Sequence, residues 1–356
     1  MFGGFYAGRK VLVTGAAGVK GAWLCWYLLE AGAEVVGVDC HEPEPESVFA
    51  ATGLGQHLDL HVLDVRDCAA LRGLMVAEGV QAAIHLAALA TVGEARERPL
   101  EAYSVNVLGT VNFLEALRQS PADRAVVVTT DKVYAPKGGR PWTEDDPLFA
   151  SGPYAVSKAC ADMIARDYAA QHLRPSGKAL AVARAGNVLA GGDWHQGRIF
   201  VDIARALGRG EPPVILNPAF TRPYTWVGDV VAGYLWLLSQ ADQEGLIGEA
   251  FNFGPLEPEG IANGDLATRM CELWGSGLSW QRGQPRDEPF ERQSLDCAKA
   301  EQRLGWRAAY TLDDSLRGLV AWYKGHSAGA AMRDLTLNMI RRHVLAARNE
   351  GLAWAE

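Results

Sequence analysis

Short apolar runs alternate with longer apolar stretches of helix length through the first half of the chain. Lys10–Thr14 reads KVLVT, a β-branched run that predicts a buried strand. A glycine-rich turn, Gly15-Ala16-Ala17-Gly18-Val19-Lys20-Gly21, follows it. Residues 22–31 (AWLCWYLLEA) then predict a buried helix that Gly32 stops, and residues 34–38 (EVVGV) a second strand leading into Asp39. Further strands are predicted at 60–65, 82–88, 125–130 and 179–184, with helical stretches such as 103–118 and 154–168 between them. Strands alternating with helices predict an α/β fold, a doubly wound parallel Rossmann-type sheet covered on both faces. Ligands in such sheets bind beyond the carboxyl ends of the strands. Gly15, Asp39, Asp64, Ala87, Thr130 and Asn187 end or follow strands and become the first candidates.

The turn has the spacing GxxGxxG, a variant of the dinucleotide pattern. Its first glycine permits the tight turn, the second lets backbone approach a pyrophosphate, and the third lets helix and strand pack closely. The helix that follows offers free amides and a positive dipole end to phosphate. Asp39 lies 39 − 15 = 24 residues past the first glycine, close to the spacing of about 20 for an acid that holds a ribose 2′-hydroxyl. A carboxylate there repels a 2′-phosphate, so NAD is expected rather than NADP. Cofactor contacts are expected at Gly15, Gly18, Val19, Lys20 and Asp39, and at Asp64, Val65, Leu86, Ala87 and Ala88 after the third and fourth strands.

Composition narrows the class. The chain has 356 residues, 49% hydrophobic and 21% charged, a balance that suits an ordinary globular protein with room for two domains. Net charge is −8, which argues against non-specific nucleic-acid binding. The six cysteines form no CxxC pair, and the eight histidines show no metal-ligand spacing, so neither a disulfide framework nor a metal site is expected. Apolar runs fall short of a membrane span and the first residues do not read as a secretory signal, so a cytoplasmic protein is expected.

Tyr154-Ala155-Val156-Ser157-Lys158 is a YxxxK at the start of a helical stretch, which puts both side chains on one face. A nearby ammonium favours the phenolate of a tyrosine. The glycine turn with YxxxK resembles the extended short-chain dehydrogenase/reductase superfamily. The triplet Thr130-Asp131-Lys132 makes the resemblance closer, being similar to that of CDP-glucose 4,6-dehydratases. Gly18–Leu24, Ala183–Val188, Gly191-Gly192-Asp193-Trp194, Asn217-Pro218, Arg222-Pro223, Asn252–Pro255 and Leu304-Gly305-Trp306 extend the similarity over nearly the whole chain.

The resemblance implies an NAD-dependent lyase that oxidises a nucleotide sugar at carbon 4, removes water from carbons 5 and 6, and returns hydride to carbon 6. It implies that Tyr154 takes the 4-hydroxyl proton with Thr130, and that Lys158 holds the ribose. Asp131 would protonate the departing 6-hydroxyl, which needs a raised pKa. Lys132 would act on carbon 5, either as a neutral base or as a charged stabiliser of the enolate. Asn106 joins the expected cofactor contacts. Asn187, Arg198, Asn217, Arg222 and Arg286 are the expected substrate contacts, the arginines suiting phosphate oxygens. An epimerase or ketoreductase of the same superfamily would share Tyr154 and Lys158 without needing Asp131 and Lys132. Residues 1–185, with a return segment at about 225–253, are expected to hold NAD. Residues 186–224 and 254–345 are expected to hold the nucleotide sugar, and a homodimer is expected. Leu89-Ala90-Thr91-Val92-Gly93-Glu94 stands where the similar enzymes show Gln-Pro and then Leu-Val-Arg. His195-Gln196-Gly197-Arg198 also looks adapted. The base and hexose are therefore left open.

Overall fold

The structure is a computed structural model that describes residues 1–135, 140–285 and 292–356. Among these, a parallel sheet of seven strands is built from β1 (Lys10–Thr14), β2 (Glu34–Asp39), β3 (Asp59–Val62), β4 (Ala82–His85), β5 (Arg124–Thr130), β6 (Ala179–Ala185) and β7 (Ala250–Phe253). Their order is β7-β6-β5-β4-β1-β2-β3, and every neighbouring pair is parallel. The order reverses between β1 and β4, which opens a crevice at their carboxyl ends. Strands β4, β5 and β6 are buried along their length because helices cover both faces, so they read as continuous apolar runs.

The covering helices are α1 (Val19–Glu30), α2 (Cys68–Ala77), α3 (Gly109–Arg118), α4 (Pro153–Tyr168) and α6 (Val227–Gln240), while α5 (Ile199–Gly208) packs on the later helices. Further on come α7 (Asn263–Trp274), α8 (Leu312–Ser327) and α9 (Met332–Asn349). One apolar cluster runs from α1 and α6 into α8 and α9, and a second fills the opposite face beneath α2 and α3. α1 begins at Val19, three residues before the apolar run suggested, because the turn is closed by glycines alone. The stretch expected as one helix at 103–118 contains a π-helical turn at Ser104–Leu108 before α3. Thr110 spends its hydroxyl on the Asn106 carbonyl at 2.7 Å, within that turn. β7, which the sequence pattern did not separate, returns the chain to the sheet beside β6.

Candidate active site

The first crossover makes a phosphate cradle. Gly15 has φ +74°, a left-handed conformation that strains other residues. A Cβ there would lie 2.9 Å from the Ala87 amide nitrogen, and one on Gly21 would strike the Gly15 carbonyl. Backbone thus packs on backbone. Gly18 caps α1 without a side chain, so no side chain covers the first amides at Val19 and Lys20. Asp39 ends β2 half-buried, accepting from the Ala17 amide at 3.0 Å and its neighbour Cys40 at 2.9 Å. Each of its oxygens keeps a free lone pair for a hydroxyl. These residues fit a dinucleotide: a side-chain-free pyrophosphate cradle with a carboxylate beside it.

Asp64 is less available. Arg66 grips both of its oxygens and holds the carboxyl below the usual range, first through the side-chain hydrogen bonds. Val65 is buried, and a Cβ on Gly109 would meet it at 2.8 Å. Leu86, Ala87 and Ala88 form a half-buried segment after β4, with the Leu86 amide on the Thr14 carbonyl at 3.1 Å. Asn106, buried on the π-helical turn, accepts from the Leu89 amide at 2.8 Å and donates to Ser157 at 2.9 Å.

β5 and α4 deliver the reacting groups. Thr130 ends β5, and its hydroxyl donates to Asp131 Oδ1 at 3.0 Å. Asp131 is fully buried, not part of a surface pair. Lys132 donates to the same Oδ1 at 3.2 Å and to Asn187 at 3.4 Å. The other oxygen of Asp131, Oδ2, is buried without a hydrogen-bond partner. Gly186 borders it, where a Cβ would sit 3.4 Å away. Tyr154 lies in the first turn of α4. Burial pushes its phenol above the ordinary value, and a hydrogen bond with Thr130 pulls in the opposite direction. Burial and the Asp131 charge thus disfavour the phenolate, where the motif alone suggests a lowered pKa. Lys158, one turn further on, is buried and donates to the Val128 carbonyl of β5 at 2.6 Å.

The surroundings are strongly cationic. Desolvation and then the Lys20 charge lower the Lys158 ammonium to about 7, against the opposing pull of Asp162. Desolvation, Arg198 and Lys132 lower Lys20 to about 8, opposed by Asp131 and Asp193. An acidic protein therefore gathers positive charge at the carboxyl end of its sheet, which suits an anionic ligand. Beneath it, Arg184 and Asp162 form a fully buried pair with contacts at 2.7 and 2.8 Å. Thr129 adds a hydrogen bond to Asp162 at 3.0 Å.

Of the expected substrate contacts, Asn187 sits beside Lys132 and reaches Gln293 at 3.4 Å. Arg198 precedes α5 and pairs with the buried Asp193 at 3.0 Å. Arg222 is buried, donates to the Thr221 carbonyl at 2.8 Å, and stacks over Phe220. Asn217 is buried near by, accepting from Asn263 at 3.1 Å through its carbonyl. Arg286 lies outside the described residues. Trp194 and Trp280 spend their indole N–H groups on the Glu46 carbonyl at 2.5 Å and on Thr268 at 2.9 Å. Two groups escaped the sequence reading, Asp193 and His85. Asp193 stood inside the quoted run Gly191–Trp194, and its charge among glycines and tryptophan was the available signal. His85 gave none beyond its place on an apolar strand.

Sheet order, glycine cradle and the Thr130–Tyr154–Lys158 grouping define the class, a Rossmann-fold protein of the short-chain dehydrogenase/reductase type. More particularly, the chain belongs to the NAD dependent epimerase/dehydratase family, which it matches over residues 11–254. It is 34% identical to the CDP-glucose 4,6-dehydratase of Salmonella typhimurium, over 92% of this chain and 94% of that protein. It is 29% identical to the UDP-glucose 4-epimerase of Yersinia pestis, over 90% of this chain and 98% of that one. A dTDP-glucose 4,6-dehydratase from Streptomyces venezuelae, solved with NAD bound, superposes with a TM-score of 0.78 at 26% identity. That likeness covers 90% of this chain and 99% of the other.

Proposed function

We propose that this enzyme is an NAD-dependent nucleotide-sugar 4,6-dehydratase, a lyase acting on a CDP-hexose, with CDP-glucose the first substrate to test. The observation that carries the reading is the fully buried Asp131, paired with the partly exposed Lys132 and set against Thr130 and Tyr154 at the end of β5. A 4-epimerase has no use for an acid and a base there. The 34% identity to a CDP-glucose 4,6-dehydratase supports the same choice. The sheet unit, residues 1–185 with about 225–253, would bind NAD. Residues 186–224 and 254–345 would hold the nucleotide, with Asn187, Arg198, Asn217 and Arg222 on its phosphates and Arg286 from the segment before residue 292.

Bound NAD would supply the hydride acceptor for carbon 4 and return that hydride at carbon 6. Tyr154 takes the 4-hydroxyl proton as its phenolate, which the Thr130 hydrogen bond, Arg198 and the cationic ring of bound NAD would favour against the pull of burial. Elimination then needs one proton removed from carbon 5 and one given to the 6-hydroxyl. Lys132 and Asp131 are 3.2 Å apart, so a proton can pass from the ammonium to the carboxylate. That transfer makes the base and the acid together. Lys132 nitrogen then takes the carbon 5 proton as the C5–H electrons form the double bond. Asp131 gives its proton to the oxygen leaving carbon 6, water departs, and the original ion pair is restored; as hydride returns to carbon 6, carbon 5 takes back a proton from Lys132, which the Tyr154 phenol replaces.

The test is incubation with NAD and CDP-glucose, followed by the alkaline ultraviolet absorbance of a 4-keto-6-deoxy sugar. Appearance of that chromophore supports the reading. A product that keeps its 6-hydroxyl with carbon 4 inverted replaces it with an epimerase.

A further inference from the structure

We infer that His85 is a positioning residue: its imidazole locks the cofactor-facing segment after β4 to the turn that carries Asn106, and through Asn106 to the tyrosine-bearing end of α4. The inference builds on the NAD-dependent reading above, but it concerns a fully buried residue.

His85 ends β4, is fully buried, and stacks on Phe113 with ring centroids 4.6 Å apart. Both ring nitrogens have partners. Nδ1 lies 2.8 Å from the Thr14 hydroxyl and Nε2 lies 3.2 Å from the Thr110 hydroxyl. The direction of each bond follows from the ends of the chain. The Asn106 carbonyl can only accept, and it takes the single Thr110 hydroxyl hydrogen at 2.7 Å. Thr110 must therefore accept from His85, which puts the ring proton on Nε2. At the other end the Ala87 amide can only donate, and it does so to Thr14 Oγ1 at 3.3 Å. The Thr14 hydrogen is then free to go to Nδ1. Every donor and acceptor in the run is used once, and only the neutral Nε2–H imidazole satisfies it. Burial first, and then the Lys158 charge, lower the imidazole to about 3, so the same tautomer persists through the working pH range.

The run continues past Asn106. Its side-chain amide accepts from the Leu89 amide and donates to Ser157 at 2.9 Å, and Ser157 donates to the Tyr154 carbonyl at 2.8 Å. One directed hydrogen-bond system therefore joins the residue before the glycine turn, the 86–89 segment, the π-helical turn and α4. The 86–89 segment is the backbone against which Gly15 packs. An imidazole here fixes the distance between the cofactor cradle and Tyr154, and it does so without a charge that could compete with Lys158.

The test uses three variants of the full chain. His85→Phe keeps the ring stack and removes both hydrogen bonds. His85→Gln restores a donor toward Thr110. Thr110→Val removes one link and leaves His85 in place. Titration with NAD, followed by tryptophan fluorescence, reads the cradle; amide hydrogen exchange at Ala87 and Leu89 reads the segment without any turnover. Loss of the bonds should weaken NAD binding about tenfold and speed exchange at both amides. His85→Gln should recover part of each. With a sugar nucleotide that turns over, kcat should fall while its KM stays within about twofold. If His85→Phe and Thr110→Val bind NAD and exchange like the parent protein, His85 is merely packing and the inference is overturned. If NAD affinity and exchange respond but no CDP-hexose is consumed, His85 keeps its role and the substrate reading fails separately.

Discussion

Asp193 holds two basic side chains on one buried carboxylate, Arg198 at 3.0 Å and His195 at 3.1 Å. The carboxyl is lowered despite its burial, through the His195 hydrogen bond and the Arg198 charge. His195 is raised above its ordinary 6.5, first by that hydrogen bond. A raised folded pKa contributes stability that is complete below the unfolded value and is lost as pH rises through the folded one. His195→Gln should therefore lower the melting temperature more at about pH 6 than at about pH 9. Equal losses at both would show that His195 does not titrate against Asp193. Asp39 bears on cofactor choice. Asp39→Ala should narrow the preference for NAD over NADP by roughly tenfold or more, the worth of a charged hydrogen bond to a ribose hydroxyl. Dissociation constants for the two nucleotides check this, and an unchanged ratio removes Asp39 from the ribose. Residues such as Asp39 were legible because local spacing sets their position. His85 was not, because its partners come from elements distant in sequence: Thr14 lies 71 residues from His85.

At the scale of elements, the buried Arg184–Asp162 pair ties β6 to α4, four residues past Lys158 on the same helix. Arg184 also donates to Tyr134 at 3.0 Å, and Tyr134 in turn bonds Asn252 of β7 at 2.5 Å. Removing one partner of a buried pair leaves the other charge without compensation, at a cost of about 3–5 kcal/mol. Asp162→Asn should lower the melting temperature by several degrees, and denaturant unfolding should show a loss of at least about 2 kcal/mol. A loss below about 1 kcal/mol would mean the pair is replaced by water or neighbours. The sequence announced the strands of this region through their apolar runs. It did not announce the charged pair among them, since a lone Arg at the end of AVAR reads as a strand terminus. Element ends moved for similar reasons. β3 stops at Val62, ahead of the Asp64–Arg66 turn, and the 103–118 helix loosens where Asn106 turns inward to Leu89.

At the scale of the whole molecule, Leu100, Leu108 and Met163 stay exposed around α3 and α4, at 83%, 50% and 50%. Exposed leucines and methionine on neighbouring helical segments suit pairing with a second copy, and we propose a homodimer through this face. Leu108→Glu with Met163→Glu should shift light-scattering mass from twice the chain mass to the chain mass. A wild-type protein that is already monomeric at micromolar concentration refutes the dimer. The parallel sheet was legible in the sequence as a whole, because alternation of buried strands and helices leaves few other folds. The small strand pairs beyond it were not. Thr221–Arg222 with Ile261–Ala262 is only two residues long on each side, too short for any periodicity.

In the proposed mechanism Asp131 and Lys132 perform elimination after Tyr154, Thr130 and Lys158 have handled oxidation. Stopped-flow absorbance of reduced nicotinamide, with NAD and CDP-glucose in excess over enzyme, separates the two stages. Asp131→Asn and Lys132→Ala should each give a burst of reduced nicotinamide that persists, with the 4-keto-6-deoxy product slowed by roughly a hundred- to ten-thousandfold. Tyr154→Phe should give no burst. Normal product formation by Asp131→Asn and Lys132→Ala, alongside an inactive Tyr154→Phe, would contradict the account and leave the pair a structural feature of an epimerase or reductase.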